Sequence, residues 1–98
     1  MGRGFVFVDP PYTVMHNLNG FVKYNQNIFA WEDQERLCKA LKRASERGVM
    51  FALTNADHYS IRKLYDGFGT QRRLSRYSMI AGGANYRSKS TELFITNY

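Results

Sequence analysis

The chain has 98 residues, 44% of them hydrophobic and 22% charged, enough for one modest core. Fourteen Lys plus Arg against eight Asp plus Glu give a net charge of +6, which suits a polyanionic partner without proving one. No apolar stretch is long enough to span a membrane and no signal-peptide pattern is present, so the cytoplasm is the default location; one cysteine, Cys38, and two distant histidines make neither a disulfide nor a metal site.

The first element is the run Phe5 to Val8, continuous and β-favouring, as expected of a strand buried on both faces. Asp9 leaves that strand at its carboxyl end, where open α/β sheets bind their ligands. Pro10 and Pro11 have fixed φ and no N–H, so they cannot extend a ladder; Pro10 biases Asp9 toward extended geometry, and both carbonyls remain as rigid acceptors. Thr13 to Phe29 lacks a sustained period, is rich in Asn and reads as a long loop of the kind that often carries function.

Trp31 to Arg47 reads as a helix with Leu37, Cys38, Leu41 and Ala44 as its apolar stripe, Glu32 with Arg36 and Glu35 with Lys39 as spaced pairs, and Gly48 as its stop. Val49 to Leu53 is a second buried strand, bounded by Gly48 and the polar Thr54-Asn55. Asp57 is placed to cap a helix from Tyr59 to Asp66, with Ile61, Leu64, Tyr65 and Phe68 on one face and Gly67 or Gly69 at its end. Two strand-helix units in succession imply α/β architecture with a parallel pair joined by a right-handed crossover. Gln71 to Ile80 and Glu92 to Tyr98 read as two further strands around a polar turn near Gly82 to Ser90.

Arg72, Arg73, Arg76, Arg87 and Lys89 flank that turn, interleaved with Tyr77 and Tyr86, and form either a phosphate-binding cluster or a solvated basic surface. Gly82-Gly83-Ala84-Asn85 lacks the strand-loop-helix context of a cofactor cradle. His16 and His58 read as surface histidines, Trp31 as a packing residue and Cys38 as a small core residue on a helix.

Asp9-Pro10-Pro11-Tyr12 after an apolar strand resembles the catalytic motif of DNA N6-adenine methyltransferases that use S-adenosylmethionine (SAM), in the Dam-like or D12 class. The resemblance continues in order through Gly20-Phe21-Val22-Lys23-Tyr24 and Phe29, Asp33-Gln34-Glu35-Arg36-Leu37, Thr54-Asn55-Ala56-Asp57, Ile61-Arg62-Lys63-Leu64-Tyr65, Arg87 and Glu92 to Tyr98. It implies part of a Rossmann-like SAM-dependent methyltransferase fold: two parallel strands with crossover helices, then an antiparallel strand pair whose last strand lies between its neighbours. Complete enzymes of the class carry a Gly-containing SAM loop and a target-recognition domain ahead of this motif, whereas Met1 to Arg3 precede the motif strand here. Residues 1–98 are therefore read as a single incomplete domain, the carboxyl-terminal part of a methyltransferase catalytic domain.

The chemistry explains the residue types. The exocyclic amine of adenine is a poor nucleophile because its lone pair is delocalised into the ring, so holding both N–H bonds with acceptors turns that pair toward the methyl sulfonium. By resemblance, Asp9 gives a carboxylate oxygen, Pro10 its carbonyl, and Tyr12 packs on the extruded base, with Pro11 part of the same catalytic motif. The resemblance assigns cofactor contacts to Asp9, Tyr24, Phe29 and Asn55, although Tyr24 and Phe29 stay open to loop anchoring and Asn55 to a turn or cap role; Phe21 is read as packing. DNA is the implied partner, through Arg72, Arg73, Arg76, Arg87 and Lys89. The implied function is site-specific DNA adenine N6-methylation, with the isolated chain expected to be inactive because the cofactor loop is missing. A non-catalytic nucleic-acid-binding remnant, one part of a split methyltransferase, and an amino-methyltransferase acting on cytosine N4 or a glutamine amide are the alternatives. An open second edge on the Phe5 to Val8 strand is expected to bring a homo-oligomer or a complementing amino-terminal fragment to cover it.

Overall fold

A computed structural model describes residues 4–16, 21–22, 29–79 and 87–98. In chain order the elements are β1 (Phe5–Val8), β2 (Met15–His16), β3 (Phe21–Val22), α1 (Trp31–Glu46), β4 (Met50–Ala56), α2 (Tyr59–Leu64), β5 (Thr70–Met79) and β6 (Arg87–Thr96). Four strands form one mixed sheet in the order β1-β4-β6-β5, and β2 pairs with β3. β1 runs parallel to β4, with Val6 opposite Phe51 and Val8 opposite Leu53, and β6 is antiparallel to both of its neighbours. The last strand thus lies where the resemblance implies.

Side chains two residues apart on a strand share a face, and that alternation places the core. Phe51 and Leu53 of β4 and Leu93 and Ile95 of β6 point together and bury against Trp31, Cys38 and Leu41 of α1 and Ile61 of α2, with Tyr65 beside them. Both helices therefore cover the same face of the sheet. Leu37, Cys38 and Leu41 of the expected apolar stripe of α1 pack here, as do Leu64 and Phe68, and the Phe68 ring lies 5.4 Å from that of Phe51. The stripe of α1 also contains a polar member, the buried Gln34.

The helix ends follow local chemistry. At the start of α1 the Asp33 carboxylate accepts from the Ala30 N–H at 2.9 Å, and Arg36 pairs with Asp33 rather than with Glu32. At its end Gly48 takes φ of 90°, a left-handed value suited to glycine, and its N–H bonds the Ser45 carbonyl. Gly69, at φ of 81°, is more constrained still, because a Cβ there would lie 2.4 Å from the Thr96 carbonyl oxygen.

Five expectations are corrected. β1 is not buried on both faces: Phe5, Val6 and Phe7 are 56%, 39% and 59% exposed, and among the described residues β1 pairs with β4 alone, the open edge expected of it. β4 runs to Ala56 instead of stopping at Leu53, since its ladder with β6 continues to Ala56 opposite Glu92. The cap of α2 is His58, whose ring nitrogen accepts from the Ser60 N–H at 3.1 Å, and not Asp57; the helix closes at Leu64. The segment read as one long loop contains the β2/β3 pair. β6 begins at Arg87 rather than at Glu92, because its ladder with β5 extends to Arg87 opposite Met79.

Candidate active site

Asp9 leaves β1 at its carboxyl end beside the end of β4, as parallel pairing requires. The next four residues are held down by the sheet and by α1. The Thr13 N–H bonds the Pro11 carbonyl at 2.9 Å, and the Thr13 hydroxyl donates to the Phe29 carbonyl at 2.8 Å. Gln34 does the rest. Its amide nitrogen donates to the Thr13 carbonyl at 2.8 Å and has the Pro11 carbonyl and Asn55 Oδ1 at 3.3 Å, while its oxygen accepts from Asn55 Nδ2 at 3.0 Å. A buried amide must find partners, and this one finds them in the loop that carries the motif.

The result is an open cleft of about 450 Å³ lined by Phe7, Asp9, Pro10, Pro11, Tyr12, Thr54 and Glu92. Thr54 Oγ1 donates to Asp9 Oδ1 at 2.6 Å, and Tyr12 Oη donates to Glu92 Oε1 at 2.5 Å. Burial of the ring, and then the hydrogen bond to Glu92, push the Tyr12 phenol up to about 12. Pro11 has its carbonyl engaged by protein donors; among the described residues the Pro10 carbonyl receives none. The cleft thus offers hydrogen-bond acceptors, negative charge from two carboxylates and an aromatic ring.

Asp9, Pro10, Pro11 and Tyr12 all line this cleft. Other assignments fall elsewhere. Asn55 was expected after the strand in a turn; it lies within β4 at 0% exposure, its amide engaged by Gln34 and the Ala56 N–H, and offers no surface to a ligand. Phe29 is not among the residues lining the cleft; its carbonyl anchors Thr13. Tyr24 lies outside the described residues. Arg72 and Arg73 are exposed on β5 and, being consecutive in a strand, point to opposite faces. Arg73 is not a free cation, because its Nε lies 3.0 Å from Asp57 Oδ2. Arg76, Arg87 and Lys89 are strand residues with Arg76 opposite Ser90, Lys89 opposite Tyr77 and Arg87 opposite Met79; their side chains lie outside the description. Thr54 and Glu92 line the cleft without having been assigned to it, since the contact of each depends on strand register that no local pattern encodes.

The model of the D12 class N6 adenine-specific DNA methyltransferase family matches residues 1–79. This chain belongs to that family. It is 31% identical over 94 residues to the Type II methyltransferase M1.LlaDCHI of Lactococcus lactis subsp. cremoris, covering 96% of this chain and 33% of the relative. It is 30% identical over 97 residues to the Type II methyltransferase M.MjaIII of Methanocaldococcus jannaschii, covering 98% of this chain and 34% of that one. It is 36% identical over 80 residues to the DNA N-6-adenine-methyltransferase of Escherichia phage P1, covering 80% of this chain and 11% of the relative. The chain spans about a third of the length of the first two relatives. Among the described residues no helix is long and apolar enough to cross a membrane, and no group of three His, Cys, Asp or Glu could hold a metal ion.

Proposed function

We propose that this chain supplies the acceptor side of SAM-dependent methyl transfer to N6 of adenine in DNA, as the carboxyl-terminal part of a Rossmann-like catalytic domain. The observation that carries the reading is the convergence of Asp9, Pro10 and Tyr12 in one cleft at the carboxyl ends of β1 and β4. Asp9 and the Pro10 carbonyl accept the two N–H bonds of the amine and so stabilise the positive charge that develops on nitrogen. Asp9 therefore works before any proton leaves and need not be a strong base. The target base has to leave the duplex, and stacking on Tyr12 returns on the order of 1 to 3 kcal/mol of the cost.

SAM, when bound, supplies the electrophilic methyl group. Asp9 and Glu92 provide the negative charge that a sulfonium cation favours, and Asp9 is the one cofactor assignment that lines the cleft. DNA is the proposed partner through Arg72, Arg76, Arg87 and Lys89, and a cytoplasmic setting follows from that substrate. The test is product identity: the chain, assayed alone and with a fragment carrying the remaining length of a relative, is given methyl-labelled SAM and duplex DNA. N6-methyladenine in the digested DNA is the expected product; N4-methylcytosine as the product, or no labelled base in either assay, overturns the reading.

The open edge of β1 belongs to the same proposal. Its backbone groups and exposed phenylalanines invite strand pairing with a second chain, either another copy or the complementing fragment. Light scattering gives the mass and hydrogen exchange the protection of the Phe5 to Val8 amides. Protection that appears with assembly is expected; a monomer with freely exchanging amides, unchanged by the fragment, removes this part.

A further inference from the structure

Thr54 and Glu92 are polar residues in strands whose neighbouring positions, Leu53, Leu93 and Ile95, build the core. Register brings the two together. Thr54 stands opposite Phe94 and Ala56 opposite Glu92, so both occupy the face of the sheet away from the helices, two positions apart across β4 and β6. The Thr54 hydroxyl donates to Asp9 at 2.6 Å, and the Tyr12 hydroxyl donates to Glu92 at 2.5 Å. Asp9 with Thr54 and Tyr12 with Glu92 thus form two hydrogen-bonded pairs side by side in the cleft.

Each link removes a freedom that a reacting site cannot leave open. A carboxylate at the end of an edge strand turns about its last side-chain bond unless something holds it; the Thr54 hydroxyl occupies Oδ1 and so fixes that rotation, with Oδ2 remaining as an acceptor. A half-exposed tyrosine swings on its first torsion unless its far end is tied, and the Glu92 carboxylate ties it. Two carboxylates in one cleft also sit against good local design, a departure that is characteristic of working sites.

We propose that Thr54 and Glu92 are positioning residues: Thr54 fixes the rotation of the Asp9 carboxylate and Glu92 fixes the Tyr12 ring, so that the acceptor oxygen and the stacking surface are set before a target base arrives. The Thr54 assignment rests on the function proposed above and fails with it; the positioning of Tyr12 by Glu92 does not.

Two measurements on the full chain separate these. In the first, tyrosine ring carbons are labelled, the Tyr12 signal among the seven tyrosines is assigned with Tyr12→Phe, and its titration is followed by NMR. With the phenol held up to about 12 by burial and Glu92, Glu92→Gln is expected to lower the midpoint clearly, and Thr54→Val, which removes a hydroxyl donated to Asp9, is expected not to lower it. In the second, methyl transfer to adenine-containing DNA is measured in the form that shows activity. Thr54→Val is expected to reduce kcat by about tenfold or more with little change in KM for DNA, the pattern of an interaction used in the transition state, and Thr54→Ser to restore it. A Tyr12 midpoint indifferent to Glu92→Gln overturns the Glu92 assignment. Unchanged kcat and KM in Thr54→Val, with transfer abolished by Asp9→Ala, overturns the Thr54 assignment and leaves the site reading intact. If no form transfers methyl groups, the function reading fails and the titration alone decides the positioning of Tyr12.

Discussion

Gln34 of α1 and Asn55 of β4 are both wholly buried and exchange side-chain amide bonds of 3.0 and 3.3 Å. The pair locks a helix to the sheet, and through the Thr13 and Pro11 carbonyls it extends that lock to the motif loop. A core exchange of this kind is costly to break on one side, because the partner is left buried and unsatisfied.

Gln34→Leu should therefore destabilise the chain by about 1 to 3 kcal/mol, the usual cost of an orphaned buried polar group. It should also loosen residues 11 to 13, read as faster amide exchange at Thr13. A variant with unchanged urea midpoint and unchanged exchange shows that the loop is held by other contacts.

Tyr65 presents the opposite case. It is wholly buried, and its hydroxyl has no hydrogen-bond partner among the described residues. Burial pushes its phenol far up. Tyr65→Phe removes an unsatisfied group while keeping the ring that stacks on Phe68, so stability should hold or rise by up to roughly 1 kcal/mol. A clear loss in thermal midpoint contradicts this and reveals a bond to that hydroxyl.

Asp57 fastens the start of α2 to both hairpin strands, accepting from Thr91 at 2.5 Å and pairing with Arg62 and Arg73. The Thr91 hydrogen bond first, then Arg62 and Arg73, hold its carboxyl below the ordinary value of 3.8. Because the folded value is the lower one, this stabilisation is full above 3.8 and is lost as pH falls through the folded value. Asp57→Asn should flatten the acid side of a plot of urea midpoint against pH; an unchanged acid slope contradicts the assignment.

DNA binding through the β5/β6 ribbon should be weak and salt-dependent, with each phosphate contact adding roughly 0.9 to the slope of log affinity against log salt. Arg87→Ala with Lys89→Ala should reduce the slope, whereas Arg73→Ala, which breaks an internal ion pair, should act mainly on stability. A slope untouched by the double variant returns these residues to a solvated surface.

The sequence made the motif turn legible because Pro10 and Pro11 act locally, and made α1 legible because Cys38 and Leu41 recur at helical spacing. It misled where partners come from far along the chain. β4 continues through Thr54 and Asn55, residues that locally read as a turn, because β6 pairs with them and Gln34 satisfies the buried amide. Val6 and Phe7 read as buried because a run of apolar residues carries no sign of whether other elements cover its two faces. Thr54 and Glu92 stayed unassigned for the same reason: their contacts with Asp9 and Tyr12 span 45 and 80 residues.

The central claim is that Asp9 holds the amine of adenine during methyl transfer. Its most direct measurement is the single-turnover rate of N6-methyladenine formation for the unmodified chain and for Asp9→Ala, assayed with the same complementing fragment. Circular dichroism and DNA affinity are compared in parallel. The account predicts a rate lost by several orders of magnitude, with fold and DNA affinity retained. A rate within about tenfold of the unmodified chain, less than about 1.4 kcal/mol of transition-state stabilisation, contradicts it.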